Sequence, residues 1–387
     1  MPIYCALDSN RYIRRFAENY IYVNPQHADF FVTSVLLILN YGFGIGLMFY
    51  YQLTYNHLPW WLIAGYYCLW VGIGGRMMGG AYALAHKEGH NHGLYKRWIR
   101  DTLGHPFENF LGIFVGNIPW TFTTSHIFIH HRLDGGIGDT FYLWDLDRSS
   151  FGDFMLYLHR IVLHMTGYSS LNFFEEHGHK AKASLLRKGV ISYWLTAAAI
   201  IVITRSPAFV FWIYLQPFIC MTYFLALINI GFHGFIEFDE NGENIALVNS
   251  STIIGGEDDY FGEDDHMTHH YHPNVYFSDL PKHQQSKIDD FAKYKASVFE
   301  KLSILELSIF ILFGLWDELA KHYVDYTGKM TKDEIKMLLK TRAQRKETSY
   351  EKYVYYLEHP TPEVRKALVG DFSKGARVDF DRDKKDN

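Results

Sequence analysis

Residues Gly262 to Pro273 read GEDDHMTHHYHP, and His266, His269, His270 and His272 fall within two helical turns. Four imidazoles crowded together would repel one another if protonated, whereas neutral ring nitrogens converging from one short segment are suited to hold a metal. Two earlier stretches repeat the pattern. AHKEGHNHG carries His86, His90 and His92, and SHIFIHHR carries His126, His130 and His131. Three clusters of this kind point to one site, and the segments between them decide the fold.

Those segments are apolar in blocks. Phe31 to Tyr51, Trp60 to Met78 and Ala208 to Ile230 each approach the ~20 residues that cross a hydrocarbon layer, and Gly189 to Ile203 is a shorter candidate. Trp60, Trp61, Trp194 and Trp212 stand near block ends, as in interfacial aromatic belts. The expected architecture is an all-α integral membrane protein with four transmembrane helices in two hairpins and a cytosolic helical cap holding a histidine-rich dimetal site. Orientation comes from charge. Gln52 to Pro59 has no Lys or Arg and the second hairpin turn has only Arg205, while Arg11, Arg14, Arg15, Lys87, Lys96, Arg97, Arg100, Arg187 and Lys188 lie in the other connections. By the positive-inside rule those connections, and all three clusters with them, face the cytosol.

Residues 1–28 read as a cytosolic arm, 29–326 as the membrane domain and 327–387 as a charged cytosolic tail, disordered from Lys374 onward. Phe107 to Thr124 is apolar but carries Gly112, Gly116, Asn117 and Pro119, so it reads as an interfacial or re-entrant piece. Arg132 to Lys188 reads as cap helices, and Ile304 to Trp316 as a short helix packed on the cap or lying in the interface. The opening MPIYCALDSNRYIRR has no apolar h-region, so no cleaved leader is expected. Cys5, Cys68 and Cys220 are too scattered for a thiolate site or a disulfide framework. A net charge of -5 without a basic stripe gives no ground for a nucleic-acid partner.

His86, His90, His126, His130, His131, His233, His266, His269 and His270 are nine candidate imidazoles, more than one ion can hold, so two metals are implied. Imidazole-rich sets suit iron, copper or zinc. A zinc-protease H-E-x-x-H is excluded because Lys87 follows His86, and of the paired Glu-x-x-His motifs of carboxylate-bridged bundles only Glu263 to His266 is present within the boxes. His105, His159, His164, His283, His322 and His359 stand alone and read as surface or packing residues, and His177 and His179 as surface residues. Asp264 and Asp265, ending the acidic run from Glu257, could orient imidazoles of the adjacent box. Cationic electron carriers could also dock on that run.

H-x3-H, H-x3-H-H and H-x2-H-H in this order, with His233 closing an apolar block before the last box, resemble the membrane fatty acid desaturase and hydroxylase superfamily, which includes alkane hydroxylases. The likeness covers residues 30 to 320. It implies two ferrous ions held by the nine histidines named above, with dioxygen as co-substrate and Asn229 reaching a metal through water. His92 and His272 are extra to the nine and fit outer positions. The implied substrate is a long-chain acyl lipid or hydrocarbon in an apolar tunnel. No flavin fingerprint is present, and Gly104-His105-Pro106 does not match the haem motif of a fused cytochrome b5. The resemblance therefore implies a separate electron donor, cytochrome b5 with its reductase. Lys384-Lys385-Asp386-Asn387 looks like a dilysine signal for the endoplasmic-reticulum membrane, with both termini cytosolic. Desaturation is the first reading. HKEGH resembles acyl-lipid desaturases, whereas H-x3-H-H is closer to alkane hydroxylases, so a hydroxylase on the same scaffold is the rival. A histidine-rich membrane metal transporter is the alternative of another class.

Overall fold

A helix that crosses a bilayer must satisfy its own backbone and present apolar side chains outward, and among the described residues three helices meet the length and composition this requires: Pro25–Tyr55, Lys180–Thr204 and Pro207–His233. The computed structural model describes residues 6–347 apart from 137, 239–243, 257–258 and 274. Lys374 to Asn387, with the Lys384–Lys385 pair, lie outside the described residues, as does His359. Leu39, Phe43, Val202 and Ile203 are 60–76% exposed on these helices, as side chains facing lipid would be. The short Gly189 to Ile203 candidate is the apolar end of the helix begun at Lys180. Its charged first turns hid its length from a reading by hydropathy, and the stretch assigned to the cap up to Lys188 is correspondingly shorter.

The second expected span is not one continuous helix. It runs from Trp60 to Val71, breaks over Gly72–Gly75, and resumes as Arg76–His90. Gly72, Gly74 and Gly75 all have positive φ, a region open to glycine without steric penalty. A helix end within an apolar segment leaves carbonyls without partners. Here Asn40 Nδ2 donates to Leu69 O at 2.6 Å and the Tyr41 hydroxyl to Trp70 O at 3.2 Å, so the first helix supplies what the break removes. Gln52 Nε2 likewise donates to Thr204 O at 3.3 Å, which brings the C-terminal ends of the Phe31–Tyr55 and Lys180–Thr204 helices together.

The chain divides into two compact units, Met1–Ser125 with His179–Met221 and His126–Gly178 with Thr222–Asn387. In the first, the Phe107 to Thr124 stretch is broken as expected, into a turn of helix at Pro106–Asn109, a 3-10 segment at Leu111–Val115 and the start of the Phe122–His130 helix. Gly189 lets the Lys180–Thr204 helix lie against the Pro119 carbonyl, where a Cβ would collide. The N-terminal arm packs through Tyr22, which bridges Tyr95 and is fully buried.

The second unit holds helices Phe151–Met165 and Tyr168–Glu176. Ile304–Leu312 packs where Gly231 and Gly234 bring the His233 helix within reach of Ile304, Ser308 and Ile311, so it is a packed helix and not a span. The all-α expectation needs one correction. Thr252–Ile254 and Val298–Glu300 form a parallel two-stranded pair, β-branched and aromatic residues meeting across it. This pair supports the third histidine box, because Ile253 N donates to Asp264 O and Met267 N to Ser251 O. Beyond it, Lys332–Gln344 is an ordered helix. Arg148, 1% exposed, donates to the carbonyls of Leu146, Gly234, Arg342 and Arg345 and so ties that helix to the residue after His233.

Replacing Asn40 by Leu removes the side-chain donor that the Leu69 carbonyl has at the end of its helix. The expected loss is about 1–2 kcal/mol, read as a lower midpoint of thermal unfolding in detergent.

Candidate metal centre

Each histidine box sits where a helix and its turn can aim imidazoles inward. In the second unit His130 ends a π-helical stretch, His233 ends the Pro207–His233 helix, and His266 and His270 lie one turn apart on His266–Tyr271. Their ligand nitrogens lie within 4.8 Å of one another and all four residues are buried. Ring centroids are 4.5 Å apart for His266 and His270 and 5.0 Å for His130 with His233. His233 Nε2 faces His266 Nε2 at 2.9 Å.

The outward nitrogens are anchored. His130 Nδ1 lies 3.0 Å from Asp139 Oδ2, His270 Nδ1 3.2 Å from Asp134 Oδ1, and His233 Nδ1 3.1 Å from the Asn249 carbonyl. An imidazole that donates through Nδ1 keeps its Nε2 lone pair for a metal. Asp139 is fixed in turn by the backbone N–H groups of Gly135 and Phe141, at 2.8 and 2.9 Å, and Asp134 by Ser250 Oγ at 3.0 Å. Burial pushes the Asp139 carboxyl up from the ordinary range, and those two backbone donors oppose the rise. Phe232 stacks on His266 at 4.0 Å and covers its face.

A second set in the same unit is His126, His131 and His269, whose ligand nitrogens also lie within 4.8 Å of one another. His126 and His131 meet Nε2 to Nε2 at 3.0 Å, and His131 stacks on His270 at 4.4 Å, so the two sets adjoin. In the first unit His86 and His90, one turn apart, also meet Nε2 to Nε2 at 3.0 Å. Asn229, one turn before His233, is 4% exposed, and its Nδ2 has no hydrogen-bond partner among the described residues. Paired lone-pair nitrogens, carboxylates behind them and an unsatisfied amide fit a borderline metal bound by imidazole.

His92 stacks on His105 at 5.3 Å and His272 packs at a tilt against His283 at 4.8 Å, and neither belongs to the candidate ligand groups found among the described residues. Asp265 accepts from Gln284 Nε2. Two carboxylates that do stand on candidate imidazoles are Asp139 on His130 and Asp134 on His270, and the sequence reading passed over both. Their signal was DGGIGD, Asp134 to Asp139, directly after the second box, with Asp134 itself in the left-handed region at φ 51. A cavity of about 300 Å³ in this unit is lined by Asp139, Asp145, Arg160 and Glu176 together with Tyr142, Leu163, Tyr168 and Phe173. His164, expected at the surface or in packing, is 2% exposed and packs 4.2 Å from Phe141, which packs 4.7 Å from His130. Burial lowers its pKa from 6.5 to about 3.

The family model described as fatty acid desaturase matches residues 58–301, more than half of the chain. No curated protein and no solved structure matches it.

Two outcomes follow from this geometry. Asp139→Asn is expected to weaken metal retention about 10–100-fold, read as metal lost to a graded chelator series. Because His164 stays neutral in the folded chain while the unfolded chain takes up its proton below pH 6.5, its share of stability is complete above pH 6.5 and falls between 6.5 and about 3. The slope is about 1.4 kcal/mol per pH unit. His164→Gln should remove that share, seen by comparing unfolding of the two proteins across this range.

Proposed function

This chain belongs to the fatty acid desaturase family, and we propose that it is an oxygen-dependent membrane di-iron oxidoreductase that places a double bond in a long acyl chain. The observation that carries the reading is the buried set His130, His233, His266 and His270 with carboxylates behind two of its rings. Two bound ferrous ions would supply dioxygen activation and removal of hydrogen from an unactivated C–H bond, which acid, base and nucleophilic side chains do not supply.

The residues have separable tasks in this reading. His130, His233, His266 and His270 hold one ion; His126, His131 and His269, joined by His86 and His90 on the family's motif pattern, hold the other. Asp134 and Asp139 keep the Nδ1 protons outward and offset positive charge in a buried place. Phe232 shields His266 from water. The Asn229 amide, one turn from His233, is placed to bind an ordered water at the metal. The substrate is a lipid-borne acyl chain, its slot apolar.

The Trp60–Val71 helix spans about 18 Å at the usual rise, and with its glycine break it serves in this proposal as the second crossing of a four-span, two-hairpin fold. Both termini then face the cytosol of the endoplasmic-reticulum membrane. Two electrons come from a separate donor, cytochrome b5 with its reductase. The H-x3-H-H spacing of His126, His130 and His131 favours hydroxylation as the second reading, since both reactions share the first hydrogen removal. Family membership leaves the metal-transporter reading without support.

Purified protein should carry about two irons per chain and lose iron in His270→Ala. With isotopically heavy dioxygen, an alkene without label is expected. An alcohol carrying the label would establish the hydroxylase instead, and zinc in place of iron would overturn the di-iron reading.

A further inference from the structure

Glu88 lies between His86 and His90 on the Arg76–His90 helix and is fully buried. One oxygen accepts from the Tyr95 hydroxyl at 2.6 Å, and the other from the backbone N–H groups of Phe107 and Glu108 at 2.9 and 2.7 Å. Glu108 is also fully buried. It accepts from Thr123 N at 2.8 Å and Thr123 Oγ1 at 2.7 Å, and faces His105 Nδ1 at 3.0 Å. Thr123 is three residues before His126 in the chain. At the same level Gly89 meets Phe122, where a Cβ would sit 2.5 Å from the Phe122 Cβ. Two carboxylates thus link the first-box helix to the entry of the second-box helix.

Burying two acids takes strong donors, and a fold needing only an anchor between helices would use apolar side chains at lower desolvation cost. Charge-assisted hydrogen bonds fix distance and rotation where apolar packing leaves both adjustable. We propose that Glu88 and Glu108 form a relay of positioning residues that sets the register of His86 and His90, and that this register is required for filling the metal position those two histidines serve but not the position held by His130, His233, His266 and His270. The inference rests on the di-iron reading above.

The test is iron per chain after ferrous reconstitution of the full-length protein in detergent, with EPR of the oxidised form, for wild type, Glu88→Gln, Glu108→Gln and Thr123→Val. A glutamine keeps the shape but turns an NH2 toward donors it cannot accept from. Wild type should hold about two irons as a coupled, EPR-silent pair. Each variant should drop about twofold, to near one, and show an uncoupled high-spin ferric signal, as should His86→Ala. A role in stability alone would lower the unfolding midpoint and leave the ratio of the two positions unchanged. Variants that keep two irons, or lose both together, overturn the relay. Should a glutamine variant not fold, Tyr95→Phe removes a single donor from Glu88 and must shift iron content in the same direction. Wild type without iron would overturn the di-iron reading itself and the relay with it, whereas two irons in every variant overturns the relay alone.

Discussion

Buried imidazoles 4.5–5.0 Å apart are compatible with a folded chain only if their inner nitrogens present lone pairs and their outer nitrogens hold the protons. Much of the structure follows from that single requirement. Asp139 must be brought to His130, Asp134 to His270 and the Asn249 carbonyl to His233. The two carboxylates must be held as firmly as the rings they face, and they are, Asp139 by Gly135 and Phe141 and Asp134 by Ser250. The parallel strand pair serves the same end by bracing Met267, next to His266.

A second constraint is set by the apolar layer. Ending the Trp60–Val71 helix within an apolar stretch of sequence leaves its last carbonyls without intrahelical partners, and Asn40 and Tyr41 answer for two of them. The break at Gly72–Gly75 separates Trp60–Val71 from the Arg76–His90 helix, which can then follow its own direction as it presents His86 and His90. Gly189 meets the same type of demand by allowing backbone-to-backbone approach.

The histidine boxes were legible because histidine is a scarce side chain and here recurs at regular spacing, so His86 and His90, His126 with His130 and His131, and His266 with His269 and His270 stand out without any tertiary knowledge. His233, alone at the end of an apolar block, joined the candidates through its place where that block ends, and the family pattern agreed with it. Asp134 and Asp139 did not join them, because carboxylates are common and only proximity to a ring nitrogen distinguishes these two. Glu88 was overlooked for a similar reason: a charged residue inside HKEGH looks like a solvated helix face until its three donors are seen.

By itself the sequence determined the long apolar helices, the imidazole character of the candidate site and the order of the boxes, since apolar length and imidazole spacing are local properties carried by adjacent residues. The tertiary structure decided which histidines come together, that His92 and His272 pack against other histidines, that the second apolar block is broken, and which carboxylates stand behind the rings. Those outcomes depend on distances between residues far apart in the chain, such as His130 with His233 and Asp134 with His270, and such distances are set by how helices pack and not by any local pattern.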